Sequence, residues 1–289
     1  MATIRLCAFA DEASKFLDGQ IAALRRNRIK QIEIRGVDGV NIADLSLELT
    51  RAAAEKLAAA GIEVWSIGSP LGKINISEPF DKTLDILDDL IAKAKILGTT
   101  RIRAFSFFME RDEYGKYAEE VFTRLAKMCE TAAQNGVSLY HENESAIFGS
   151  TVDNCEKLYN AVPALKTVYD PSNFIMWGED TAEAIKRLLP RADYIHIKDC
   201  VKESKTIVPS GYGDGRIDEI VRSVKGDVTM TLEPHLFAFT GYDKIDKKPL
   251  KTRFEFADSD ESFDFAVGAL KKILKDNGFS EKEEGTWTK

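Results

Sequence analysis

Histidine is scarce in this chain, with three in 289 residues, and the four cysteines are spread across its whole length. Cys7, Cys129, Cys155 and Cys200 form no CxxC element, which argues against a zinc knuckle. Their wide spacing is that of reduced thiols in a cytoplasmic protein. No apolar run reaches the roughly 18 residues of a membrane span, and no basic stretch leads into a short hydrophobic segment at the N-terminus. Membrane insertion and secretion are therefore disfavoured. Cationic runs and basic–aromatic stripes are missing too. With a formal net charge of -7 and a pI near 5.3, the chain lacks the basic face of a duplex nucleic-acid binder. No proline- or serine-rich linker divides it, so residues 1–289 are read as one domain.

What the chain does have is a steady alternation of strand-length apolar runs and helix-length amphipathic stretches. Strands are expected at 4–9, 31–34, 62–67, 101–107, 137–142, 165–170, 193–197 and 228–233. Between them come a helix capped by Asp11, with a face of Phe16, Ile21, Ala22 and Leu24, and a helix over 46–60 stopped by Gly61. Further helices follow: one through Leu84, Leu87, Ile91 and Ala94 to Gly98, then 117–134, 151–159, about 181–189, 218–224 and 263–274. Eight strand–helix units over this length predict a closed (β/α)8 barrel, with a doubly wound sheet as the alternative. Two connections, 198–215 and 234–258, are longer than the rest. Both follow strands on what would be the catalytic face, which makes them candidate lids.

The chemistry gathers at strand ends. Glu142, Asp170, His196 and Glu233 close the expected strands five to eight, and in a barrel such ends converge. Three carboxylates and one imidazole suit a single divalent cation such as Mn²⁺, Mg²⁺, Co²⁺ or Zn²⁺. Each residue also has a structural alternative: an exposed loop residue for Glu142, a cap of the Pro171 turn for Asp170, a satisfied core imidazole for His196 and a lysine partner for Glu233. Strand alternation turns His141 away from Glu142, toward a helix. Lys198 and His235, two residues beyond His196 and Glu233, are candidate substrate contacts. Glu33 near the end of strand two is another, as are the aromatics Trp65, Phe107, Phe108, Trp177 and Phe237 near strand ends.

Four segments sharpen this reading: His141-Glu142-Asn143-Glu144, Tyr169-Asp170-Pro171-Ser172-Asn173-Phe174, His196-Ile197-Lys198-Asp199 and Leu232-Glu233-Pro234-His235. With the glycine-rich 209–215 they give the chain a resemblance, over almost its full length, to the xylose-isomerase-like barrel superfamily, including its sugar phosphate isomerase/epimerase-like members. The resemblance implies that Glu142, Asp170, His196 and Glu233 are metal ligands and that Glu142 and Glu233 are the acid/base pair of an epimerase. Asn173 stands where the best-known epimerases carry a histidine that holds substrate; asparagine can hydrogen-bond but cannot transfer a proton comparably.

The function that follows is a metal-dependent isomerase or epimerase of a small polyhydroxylated carbonyl compound, acting through an enediolate. Alternatives are a metal-dependent lyase or eliminase of an oxidised sugar or glycoside, and a non-catalytic sugar-binding or complex-forming barrel. The endonuclease branch of the superfamily needs a histidine-rich zinc cluster, which three histidines do not supply. Homo-oligomerisation is an expectation from the resemblance alone.

Overall fold

In the computed structural model, which describes residues 1–238 and 254–289, all eight expected strands are present. They are β1 (Thr3–Ala8), β2 (Gln31–Ile34), β3 (Glu63–Leu71), β4 (Arg101–Ala104), β5 (Ser138–Glu142), β6 (Lys166–Tyr169), β7 (Tyr194–Ile197) and β8 (Asp227–Leu232). Each pairs in parallel with the next. Pairing of β1 with β8, from Thr3 opposite Asp227 to Ala8 opposite Leu232, closes the barrel. The architecture is a (β/α)8 barrel.

Alternation along each strand divides the side chains between two interiors. Ile4, Leu6 and Ala8 of β1 point outward, as do Ile32 and Ile34 of β2, Ile195 and Ile197 of β7, and Met230 and Leu232 of β8. These build the apolar layer beneath the helices. Each buried side chain of this kind contributes roughly 1.5–3 kcal/mol. The intervening positions face the barrel axis, and toward the C-terminal ends of several strands they are charged or ionisable, as at Glu33, Arg103, Glu142 and His196.

Among the described residues the α-helices are α1 (Leu17–Arg26), α2 (Leu47–Ala59), α3 (Phe80–Leu97), α4 (Tyr114–Gln134), α5 (Val152–Ala161), α6 (Pro171–Trp177), α7 (Thr181–Leu188), α8 (Ile217–Ser223) and α9 (Ser259–Asp276). Local signals fix several ends. Ser46 accepts from Leu49 N–H, Thr151 from Asn154 and Asp258 from Glu261. Gly98 stops α3 in the left-handed conformation at φ 71°.

Two local expectations differ from the structure. Asp11 does not cap α1: it is drawn inward to Arg35, and Asp38 Oδ1 instead accepts from Leu17 N–H at 3.0 Å. Phe16 lies outside the buried face of that helix, which is Leu17, Gln20, Ala23 and Leu24. A C-terminal hairpin, β9 (Ser280–Glu283) and β10 (Thr286–Thr288), also joins the sheet. β10 runs antiparallel to β1 over Thr3–Arg5 and sets buried Trp287 opposite Ile4. It thereby fills the lower edge of β1, which pairs with β2 only at Cys7 and Ala8.

Candidate metal centre

Four consecutive strands deliver one side chain each to the same point. Glu142 is the last residue of β5, His196 lies in β7 and Glu233 directly follows β8. Asp170 follows β6 and caps α6, accepting from Asn173 N–H at 3.0 Å, while Pro171 starts that helix. One ligand atom from each of the four lies within 4.8 Å of the others, and all four residues are buried. His196 Nε2 meets Glu33 Oε2 at 3.1 Å. Its Nδ1 faces Glu142 Oε1 at 3.1 Å and Glu233 Oε2 at 3.4 Å, yet makes no hydrogen bond. A buried imidazole held by a carboxylate through one nitrogen, with the other aimed at carboxylate oxygens, is how metal-binding histidine is presented.

The electrostatics agree. Six carboxylates, Asp11, Glu12, Glu33, Glu142, Asp170 and Glu233, share this interior with three cations, Arg35, Arg103 and Lys198. Fully ionised, six against three leaves three negative charges unbalanced in a dry region, a costly state. Protons relieve part of it. Burial pushes the Asp170 carboxyl up to about 7 against the pull of Lys198, with Glu142 and Glu233 adding to the rise. Burial likewise pushes Glu12 up to about 8, opposed by Arg35. Glu142 is raised by burial too, but His196 and Arg103 outweigh it and hold it down at about 2. Burial disfavours a charged His196, yet Glu142 and Glu33 raise its pKa well above the usual histidine value. The point that Nδ1 faces is thus one where positive charge is stabilised. An oxygen-rich donor set with one imidazole, next to an unbonded buried nitrogen, fits a divalent ion.

The sequence model of the xylose isomerase-like TIM barrel family matches residues 23–235. The chain belongs to that family. Among solved structures of similar shape, the AsbF protein of Bacillus anthracis, a probable 3-DHS dehydratase involved in petrobactin synthesis, is 20% identical with a TM-score of 0.66, over 94% of this chain and 99% of its own. The IOLI protein with a bound zinc atom is 14% identical with a TM-score of 0.71, over 94% and 99%. An L-ribulose 3-epimerase is 19% identical with a TM-score of 0.64, over 96% and 97%. Identities this low speak for the shared fold. No curated protein matches the chain.

Within this family barrel the other expected residues are placed as follows. Asn173 Nδ2 donates to Glu142 Oε1 at 3.1 Å and to the Asn143 carbonyl at 2.8 Å, so it borders the cluster. Lys198 Nζ lies 2.9 Å from Asp170 Oδ2 and 3.3 Å from Glu233 Oε2. His235, at φ 47°, places Nε2 3.4 Å from Glu12 and 3.6 Å from Glu233. Glu33 is fully buried behind His196, where it also accepts from Tyr194 O–H at 2.9 Å. Glu33 thus holds the imidazole from behind. Trp65 stands nearer the N-terminal end of β3. It stacks on Arg101 at 3.7 Å and meets Tyr194 edge-on, a layer deeper than His196.

Phe108 is half-buried, bridging to Asn75 and Ile147, and Trp177 ends α6 with Arg111 6.0 Å from its ring. Phe107 packs into the apolar core and Phe237 is half-buried. His141 faces outward as expected, between Tyr159 at 3.1 Å and Ser106 at 2.9 Å. The 198–215 connection folds around Asp199, which accepts N–H groups from Gly211, Gly213 and Gly215. Most of the other long connection, residues 239–253, lies outside the described residues.

Arg35, Arg103, Asp11, Glu12 and Asn143 also surround the cluster, though nothing in the sequence assigns them a place at the site. Arg35 binds Asp11, Glu12 and Glu233; Arg103 binds Glu142. Asn143 ties itself to the backbone of Asp170 through two hydrogen bonds. A signal existed for both arginines. Glu33 and Arg35 stand two apart at the end of β2, Arg101 and Arg103 two apart from the start of β4, and alternation puts such pairs on one face.

Proposed function

We propose that the chain is a divalent-metal-dependent isomerase or epimerase of a small polyhydroxylated carbonyl compound. The observation that carries this is the buried Glu142–Asp170–His196–Glu233 cluster on four successive strand ends. Those residues would hold Mn²⁺, Mg²⁺, Co²⁺ or Zn²⁺, which when bound polarises a carbonyl and stabilises an enediolate. Glu142 and Glu233 would exchange the proton on the carbon beside that carbonyl, one removing it and the other returning it to the opposite face. Asn173 and Lys198 border the cluster and would orient substrate hydroxyls, with His235 on the Glu233 side. Phe108 and Trp177 would wall the mouth. Among similar folds, one is an L-ribulose 3-epimerase and one a probable dehydratase. Epimerisation and α,β-elimination both begin with loss of a proton next to a carbonyl, so the same carboxylates could serve a lyase. Four buried free thiols support a reducing, cytoplasmic setting.

The test is solvent exchange. Protein reconstituted with Mn²⁺ should move deuterium from D₂O to the carbon adjacent to the carbonyl of a turned-over ketose or aldose, and chelation should stop it. Metal-dependent turnover without deuterium incorporation would remove reversible proton abstraction from the account.

A further inference from the structure

The two glutamates of the cluster use their oxygens differently, and two arginines divide them. Glu142 Oε1 faces His196 Nδ1, while its Oε2 accepts from Arg103 Nη1 at 3.0 Å. Glu233 Oε2 faces His196 Nδ1 and Lys198, while its Oε1 accepts from Arg35 Nη1 at 2.9 Å, with Arg103 Nη1 at 3.8 Å. Arg103 therefore spans the outer oxygens of both. Neither guanidinium can swing freely. Arg103 donates to the carbonyls of Gly68 at 3.1 Å and Ser69 at 3.4 Å. Arg35 is gripped by both oxygens of Asp11, at 2.9 and 3.0 Å, and by Glu12 at 3.2 Å. Both lie over the Phe9 ring, 4.4 and 5.0 Å from its centroid. The absence of a side chain at Gly68 is what admits that ring, since a Cβ there would sit 2.4 Å from Phe9 Cε1.

We propose that Arg35 and Arg103 are positioning residues that restrict Glu233 and Glu142 to one oxygen each toward a bound dication, and so select a small six-coordinate ion over calcium. The inference rests on the metal reading above. A free carboxylate can chelate through both oxygens, which suits Ca²⁺ with its six to eight ligands; smaller octahedral ions accept single oxygens. Chelation by Glu142 would make Oε2 share or give up the lone pair that Arg103 engages, leaving the buried guanidinium with the Gly68 and Ser69 carbonyls and Glu233 at 3.8 Å, which is disfavoured. One-oxygen ligation also leaves coordination positions for substrate.

Calorimetric titration of the full chain with Mn²⁺ alone and Ca²⁺ alone tests this. Relative to wild type, Arg103→Gln should raise the ratio of Ca²⁺ to Mn²⁺ affinity about tenfold or more, and the electron paramagnetic resonance spectrum of bound Mn²⁺ should change. Removing a positive charge by itself would tighten both ions by a common factor, so an unchanged ratio overturns the proposal. Arg103→Lys keeps the charge but loses the planar fork; it should shift the ratio in the same direction, and it carries the test if the glutamine variant does not fold. An unchanged ratio in the lysine variant overturns the positioning role alone. A wild type that binds neither ion overturns the metal reading and this inference together.

Discussion

The two halves of the barrel contribute different things to one centre. β5 to β8 supply the four candidate ligands and Lys198. The first half supplies the residues behind them: Asp11 and Glu12 after β1, Glu33 and Arg35 at β2, and Arg103 in β4. The second half presents donors, and the first half fixes which atom of Glu142, His196 and Glu233 points inward, while Asp170 is held within the second half by Asn173 and Lys198. A ligand cluster of this kind is thus only half described by its ligands, because orientation comes from across the barrel.

Breaking the second half should have the largest effect. Glu233→Gln and Glu142→Gln keep the side-chain shape but cannot accept a proton, and turnover should fall by about 10²–10⁴-fold, far beyond the stability lost where Arg35 or Arg103 gives up a charged partner. Metal occupancy must be measured beside the kinetics. Near-wild-type turnover in either fully metallated variant would end its proton-transfer role.

A cut in the first half should read out differently. Glu33→Gln no longer offers a carboxylate to His196 Nε2, and metal affinity should drop by about 10- to 100-fold with the fold retained. Equal affinity in calorimetry would show that the orientation of His196 is set elsewhere.

The smallest effect on the centre should come from the residue adjoining Glu142. His141 faces the helix layer, so His141→Leu should leave metal affinity unchanged and lower stability by about 1–3 kcal/mol, since the Tyr159 and Ser106 hydroxyls each lose a hydrogen bond, Ser106 keeping the one from Gly149 N–H. Denaturant unfolding measures the loss. If this substitution weakens metal binding as much as Glu33→Gln, the inward–outward division at β5 is wrong.

The same division explains what could be read from the sequence. Glu142, Asp170, His196 and Glu233 stood out because each ends an apolar run with a residue type that metals use. Arg35 and Arg103 did not, because a charged residue near a strand end usually faces solvent, and their partners lie as far as 198 residues away for Arg35 and Glu233. Alternation gives Glu33 and Trp65 a face but not a depth, so the pairing of Glu33 with His196 and of Trp65 with Arg101 is not legible in the sequence. The hairpin at 280–288 was missed because Ser280-Glu281-Lys282-Glu283 has no apolar period; it forms against β1, with Trp287 as its apolar contribution. α6 is not legible because seven residues from Pro171 to Trp177 read equally well as a turn.

The knot of N–H groups around Asp199 bears on engineering. Asp199 adjoins Lys198, so whatever shifts the 199–215 loop also tugs the lysine that reaches Asp170 and Glu233. A Cβ at Gly213 or Gly215 would meet Asp199 Oδ1 at 2.4 or 2.7 Å. A randomised library meant to alter substrate preference should therefore hold 211, 213 and 215 as glycine. The diversity belongs at 202–204, in the turn between the two short strands Asp199–Val201 and Thr206–Val208; Lys205 is kept, because its Nζ donates to the Ile175 carbonyl of α6, the helix that carries Asn173.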